Sequence, residues 1–205
     1  MNYFYNVLQR MHTRGENPTG FIDAGAHFGE TNELIRSVYP DSRVVSFEAN
    51  PHCEHILKEK GIEYFICLLG KERIEGVPFF LNPNDVTSTG CSIYKEESIH
   101  FKDAEAISLD MYRLDEIIPL EAKMNFLKMD VQGAEIDILE GAHKLLPSIK
   151  WIYLEVSFVK CNDGAPLFDT IFKYLTDRNY RISDLCDPTW VDNRLLQCNF
   201  LFEQT

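Results

Sequence analysis

Apolar and polar positions along this chain alternate between a helical and a strand period. Tyr3, Phe4, Val7, Leu8 and Met11 recur at three- and four-residue spacing and predict an N-terminal helix over 1–13 that covers a sheet. Gly20-Phe21-Ile22-Asp23 reads as a short buried strand. The segment from Gly25 to Gly29 then turns into a helix that runs to about Tyr39, where Pro40 stops it. Arg43 to Phe47 is the next strand, ending at Glu48. Asn50 caps a following helix, with Pro51 in its first turn, and Gly61 closes it. Ile62 to Leu69 is a third strand.

Residues 70–110 interrupt the rhythm. One extra strand, Val77 to Leu81, precedes a polar stretch from Asn82 to Ser92, and long irregular segments of this kind often serve as lids or binding loops. Regular alternation resumes with a short helix over Leu114–Ile118 and a strand from Phe126 to Met129, followed by Asp130. A helix over Glu135–Leu146 turns Ile136, Leu139, Ala142 and Leu146 inward. The next strand, Ile149 to Val156, carries Glu155. Leu167, Phe168, Ile171, Phe172 and Leu175 stripe another helix, and Tyr180–Ser183 and Asn199–Phe202 read as an antiparallel hairpin at the sheet edge. The pattern predicts one α/β domain over 1–205. Its core is a Rossmann-like, doubly wound, mostly parallel sheet of about seven strands, with a loop-rich insertion at about 70–110.

Composition narrows the function. The 205 residues are 45% apolar and 25% charged, as in ordinary globular domains. Twenty basic against 32 acidic side chains give a net charge of −12, which repels a phosphate backbone and argues against nucleic acid as partner. No apolar run approaches the roughly 20 residues of a membrane span, and the first thirty residues lack a signal-peptide pattern. The six cysteines contain no C-x-x-C pair and read as reduced thiols of a cytoplasmic protein.

Three features fall at strand ends on one edge of the predicted sheet. They are the turn Asp23-Ala24-Gly25-Ala26-His27-Phe28-Gly29, the acidic Glu48 after the next strand, and the acidic strand ends Asp130 and Glu155. Ligands of such sheets sit outside the carboxyl ends of the strands, where an acidic residue about 20 positions past the turn bonds ribose hydroxyls. Asp23 and Glu30 flank the turn with negative charge, and His27 crowds the place where a diphosphate would approach. S-adenosylmethionine has no phosphate and carries a sulfonium and an ammonium, so it suits this turn better than NAD. An NAD-dependent oxidoreductase or epimerase, and a non-catalytic nucleotide-binding module, stay open as alternatives.

The sequence resembles the FkbM-type methyltransferases. The matching segments are 21–31, 45–51, Leu114-Asp115-Glu116-Ile117, 126–135 (Phe-Leu-Lys-Met-Asp-Val-Gln-Gly-Ala-Glu), 138–142 and 152–156. The family usually has Asn where this chain has His27, Glu-Pro where it has Glu48-Ala49-Asn50-Pro51, and Glu where it has Gln132. The resemblance implies a class I methyltransferase-like fold and S-adenosylmethionine-dependent O-methylation of a sugar or small metabolite. The expected cofactor contacts are Asp23, Gly25, Ala26, His27, Gly29, Thr31, Glu48, Ala49, Leu69 and Asp130. Ser92, His100 and Glu135 are the expected contacts of the small-molecule or carbohydrate hydroxyl acceptor.

Methyl transfer to oxygen is an in-line displacement at carbon. Orientation can supply up to roughly 7–11 kcal/mol, and a positioned base adds about 10²–10⁴-fold because an alcohol is a poor nucleophile. Asp130 and Glu155 are the candidate bases. Asp130 has a structural alternative as acceptor for backbone N–H groups near Gly133-Ala134. A divalent cation held by Asp130 and Glu155 is the minor alternative; no metal is assigned. Tyr94, Phe101 and Trp190 are candidates to stack on a sugar ring, and His52 and His55 read as surface residues.

Overall fold

The computed structural model describes residues 3–82, 85–94, 105–160 and 164–205. A seven-stranded sheet is built from β1 (Gly20–Ala24), β2 (Arg43–Glu48), β3 (Tyr64–Ile66), β7 (Phe126–Met129), β8 (Trp151–Ser157), β9 (Tyr180–Val191) and β10 (Arg194–Gln204). Its order is β3-β2-β1-β7-β8-β10-β9, and β10 runs antiparallel to both its neighbours while the other pairs are parallel. From β1 the chain winds outward to β3 and then crosses to β7 on the other side of β1. That reversal leaves a crevice beyond the carboxyl ends of β1 and β7.

Helices cover both faces. On one lie α1 (Tyr3–Thr13) and α2 (Glu30–Val38), whose Phe4, Val7, Leu8, Met11 and Ile35 bury against Phe21, Val44, Phe126 and Tyr153. The Phe4 ring sits 4.6 Å from that of Tyr153, so the predicted N-terminal helix does cover the sheet. On the other face α4 (Leu114–Ile117), α5 (Glu135–Gly141) and α6 (Phe168–Thr176) pack Leu114, Ile138, Leu139, Ile171 and Leu175 into one core with Leu127, Ile152, Leu154 and Phe202. Both faces of β1 and β7 are buried throughout, which explains their apolar character, broken only by the paired Asp23 and Lys128. Asn50 caps as expected, its side chain accepting the His52 N–H at 3.1 Å before α3 (Glu54–Glu59).

Several elements differ from the sequence reading. The single strand over 62–69 is two. β3 ends at Ile66, Cys67 donates its N–H to the Glu48 carbonyl, and β4 (Leu68–Leu69) then leaves for a second sheet. That sheet, ordered β4-β6-β5, is formed with β5 (Ile74–Leu81) and β6 (Glu105–Tyr112), so the 70–110 insertion contributes two strands to a small sheet with its own apolar cluster. The helix after residue 135 ends at Gly141, where the Gly70 carbonyl comes so close that a Cβ would lie 2.0 Å from it. Ile138, not Ile136, takes its innermost position. Phe172 is 38% exposed rather than part of the buried stripe. The final hairpin is much longer than expected and turns through Asp192 and Asn193, both with positive φ, as a two-residue hairpin turn requires. Among the described residues no helix is long and apolar enough to cross a membrane.

Candidate active site

Two clefts open at the strand tips, one on each side of the segment 130–133. The first holds about 760 Å³ of space, its mouth included, and is lined by Gly25, His27, Glu48, Ala49, Leu69 and Asp130 with the apolar Phe47, Phe79, Ile93 and Ile138. Glu48 is 9% exposed. Its Oε2 accepts the His27 N–H at 2.6 Å and its Oε1 accepts the Asn50 N–H at 2.7 Å. A carboxylate offers about four acceptor directions, so the clamped group keeps capacity for hydroxyls of a ligand.

The turn between β1 and α2 is fastened from several sides. Gly25 and Ala26 donate their N–H groups to the Phe47 carbonyl at 2.9 and 3.0 Å. Gly25 has φ +78°, and a Cβ on it would lie 1.9 Å from the Asp130 carbonyl oxygen, so only glycine fits between the turn and the end of β7. Beneath the turn, the buried Lys128 ammonium donates to the Gly25 carbonyl at 2.8 Å and pairs with Asp23 Oδ1 at 3.1 Å. Burial opposes the Lys128 charge, but Asp23, Asp130 and Glu48 outweigh it and raise its pKa above the ordinary lysine value. Burial likewise pushes Asp23 upward, against the pull of Lys128.

The polar stretch 85–94 lies across this cleft and is tied down at separate points. His27 contacts Glu30 Oε1 through Nδ1 at 3.1 Å and the Thr87 carbonyl through Nε2 at 2.8 Å. Asn50 Nδ2 donates to the Val86 carbonyl at 2.6 Å, and Ser92 Oγ donates to the Gln132 carbonyl at 2.8 Å. Ser88, Thr89, Cys91 and Ser92 therefore become part of the lining.

The second cleft, about 410 Å³, is lined by Gln132, Gly133, Glu135, Glu155, Ser157, Gln197 and the 165–167 segment. It is polar and acidic. Burial, reinforced by the Asp130 charge, pushes Glu155 up to about 7. Burial also pushes Glu135 up to about 7, although Glu135 Oε1 accepts the Gly133 N–H at 3.2 Å. Glu155 Oε2 accepts from Gln197 Nε2 at 2.9 Å.

Of the residues singled out in the sequence, Gly25, His27, Glu48, Ala49, Leu69, Ser92 and Asp130 line the first cleft, and Glu135 and Glu155 the second. Asp23 lies wholly buried beneath the turn. Ala26, Gly29 and Thr31 are not on the lining: Ala26 is buried, Gly29 packs on Ile62 and Leu57, and Thr31 sits in the first turn of α2. His100 and Phe101 fall outside the described residues. Trp190 projects from the hairpin, 61% exposed, whereas the Tyr94 hydroxyl donates to Asp137 Oδ2 at 3.1 Å. The Gly133 N–H goes to Glu135 rather than Asp130; Asp130 Oδ1 instead accepts from Gln132 Nε2 at 2.9 Å. Asn50, Lys128 and Gln132 were missed as site residues. A lysine inside a four-residue buried strand was the signal for Lys128, since such a charge needs partners. Among the described residues no three His, Cys, Asp or Glu side chains gather as a metal site.

Comparison with known proteins decides the family. The model of the methyltransferase FkbM domain matches residues 23–182. The chain belongs to the FkbM methyltransferase family. It is 24% identical over 190 residues to Methyltransferase 1 of Beauveria bassiana (strain ARSEF 2860), covering 82% of this chain and 74% of that protein. The crystal structure of methyltransferase FkbM from Methylobacillus flagellatus KT superposes with a TM-score of 0.57 at 21% identity over 89% of this chain. This chain spans 43% of that one's length. An rRNA methylase from Streptococcus thermophilus gives 0.51 at 12% identity, covering 98% and 93% of the two chains, a likeness of fold alone. The fold is that of the class I, Rossmann-like methyltransferases, and S-adenosylmethionine is the cofactor such a family usually employs. Family membership favours methyl transfer over NAD-dependent oxidoreduction.

Proposed function

We propose that this FkbM methyltransferase takes S-adenosylmethionine in the first cleft and methylates a hydroxyl oxygen of a small or carbohydrate-like acceptor in the second. The observation that carries this reading is the adjacency of two unlike clefts across the segment 130–133. One pairs apolar walls with the clamped Glu48; the other is polar and holds two carboxyls pushed to about 7. The donor-side residues fit the cofactor's chemistry. Glu48 has free acceptor capacity for ribose hydroxyls, Phe47, Leu69 and Ile138 offer apolar surface to an adenine ring, and Asp130 places negative charge on the lining. When bound, the cofactor supplies a methyl group activated by its sulfonium charge.

Glu155 is the base in this reading. A carboxylate whose pKa lies near neutrality can take a proton from a hydroxyl and is still largely deprotonated above pH 7. Gln197 holds it in place through Oε2. Asp130 faces the donor cleft and is assigned to holding the cofactor. A polar acceptor suits the polar lining of the second cleft, and a chain of net charge −12 disfavours nucleic acid. The five described cysteines stand unbridged, in keeping with a cytoplasmic enzyme. Calorimetry with S-adenosylhomocysteine, then a radiolabelled methyl-transfer screen of sugars and hydroxylated metabolites, tests the reading. Binding and label on oxygen support it; label only on thiols, amines or nucleic acid overturns the hydroxyl assignment.

A further inference from the structure

A lysine buried under a cleft lined by carboxylates is at odds with a cationic ligand, because its charge offsets part of their attraction. Lys128 is nevertheless 7% exposed, and its neighbours across the sheet are Asp23 on β1 and Tyr153 on β8. Balancing Asp23 does not explain it, since a buried ion pair is often replaced by neutral residues at no loss of stability. Nor is the pair well satisfied. Neither Asp23 oxygen makes a formed hydrogen bond, and Ser46 Oγ, on the strand position paired with Asp23, is also buried with no hydrogen-bond partner. The well-formed bond of the ammonium is the one to the Gly25 carbonyl. Gly25 lines the donor cleft, and its backbone is pressed against the end of the strand that leads to Asp130.

We infer that Lys128 is a positioning residue for methyl transfer, holding the Gly25 carbonyl from below so that the β1–α2 turn keeps the shape that receives the donor. This rests on the cofactor reading given above. The same ammonium lies within Coulombic reach of Asp130, Glu48 and Glu155, so it links the lining of both clefts. It touches the turn, not the reacting atoms.

The test compares Lys128→Met with the double variant Asp23→Asn/Lys128→Met, which removes both charges. Each is measured for unliganded Tm, for S-adenosylhomocysteine affinity and for the KM of S-adenosylmethionine. Lys128→Met should lose both Tm and affinity. The double variant should recover Tm to within a few degrees of wild type while affinity stays about 10-fold weaker and KM rises correspondingly. Recovery of affinity together with Tm would mean that Lys128 only balances Asp23, and the inference falls. If neither variant folds, the ¹⁵N signal of the Lys128 ammonium in the wild-type protein decides. It should move on adding S-adenosylhomocysteine, and an unmoved signal in the saturated protein overturns the proposal. Absence of binding by the wild type would instead count against the cofactor reading itself.

Discussion

Glu48 and Glu155 are the same side chain at the tips of two strands of one sheet, yet their surroundings divide them. Glu48 has backbone N–H groups on both oxygens, supplied by the turn at His27 and the cap at Asn50. Glu155 has one neutral amide donor, a half-buried setting and the Asp130 charge nearby, and is pushed up to about 7. Environment, not residue type, separates a group suited to holding a ligand from one suited to moving a proton. The first cleft is built around a carboxylate held by backbone N–H groups, and the second around carboxyls pushed up to about 7.

Glu155→Gln gives the largest expected effect. It should lower kcat by about 10²–10⁴-fold, the usual weight of a general base, while calorimetric affinity for S-adenosylhomocysteine changes little. A variant that loses affinity and keeps kcat would reverse the two assignments. Glu48→Ala should do the opposite. It removes an acceptor for ligand hydroxyls and strands the His27 and Asn50 N–H groups, so affinity should fall about 10- to 100-fold, as expected for bonds to a charged group worth about 1.5–3 kcal/mol.

Acidity sharpens the contrast. Glu135 and Glu155 are raised from 4.5 to about 7, so the folded protein binds their protons more tightly than the unfolded chain. The stability they contribute is full below about pH 4.5 and is lost as pH rises through about 7. Activity should run the other way, with kcat/KM rising through about pH 7 as the base sheds its proton. Chemical denaturation and kinetics across pH 5–9 read both limbs, which report apparent values of the coupled pair. The smallest effect is that of His27→Ala. It loses the ring contacts to Thr87 and Glu30, and about 1 kcal/mol for one hydrogen bond corresponds to about 5-fold faster ligand release in stopped-flow. Unchanged release would show that the 85–94 segment stays closed without His27.

The lining of the first cleft was legible because each part of it is a local signal. A glycine turn, an acid at the end of the next strand and an Asn-Pro cap lie within the one stretch 23–51, and the structure brings Gly25, Glu48 and Asn50 together at one cleft. What escaped reading depends on distant contacts. The break between Ile66 and Leu68 comes from strand β6, far along the chain at Glu105–Tyr112, capturing β4. Strand β6 itself was legible: Ile107, Leu109 and Met111 alternate with polar residues, the period-two pattern of a half-buried strand, and the sequence reading passed over it. Lys128 sits in plain view within the segment 126–135, but its partners Asp23 and Gly25 lie about a hundred positions earlier, beyond any local pattern.

The contact between Gly25 and the Asp130 carbonyl leaves no slack for even one methyl group. That approach ties the β1–α2 turn to the end of β7 at the point where the two clefts meet. On the function proposed above, exchanges at 165–167 and Gln197 would alter the second cleft while leaving this junction in place.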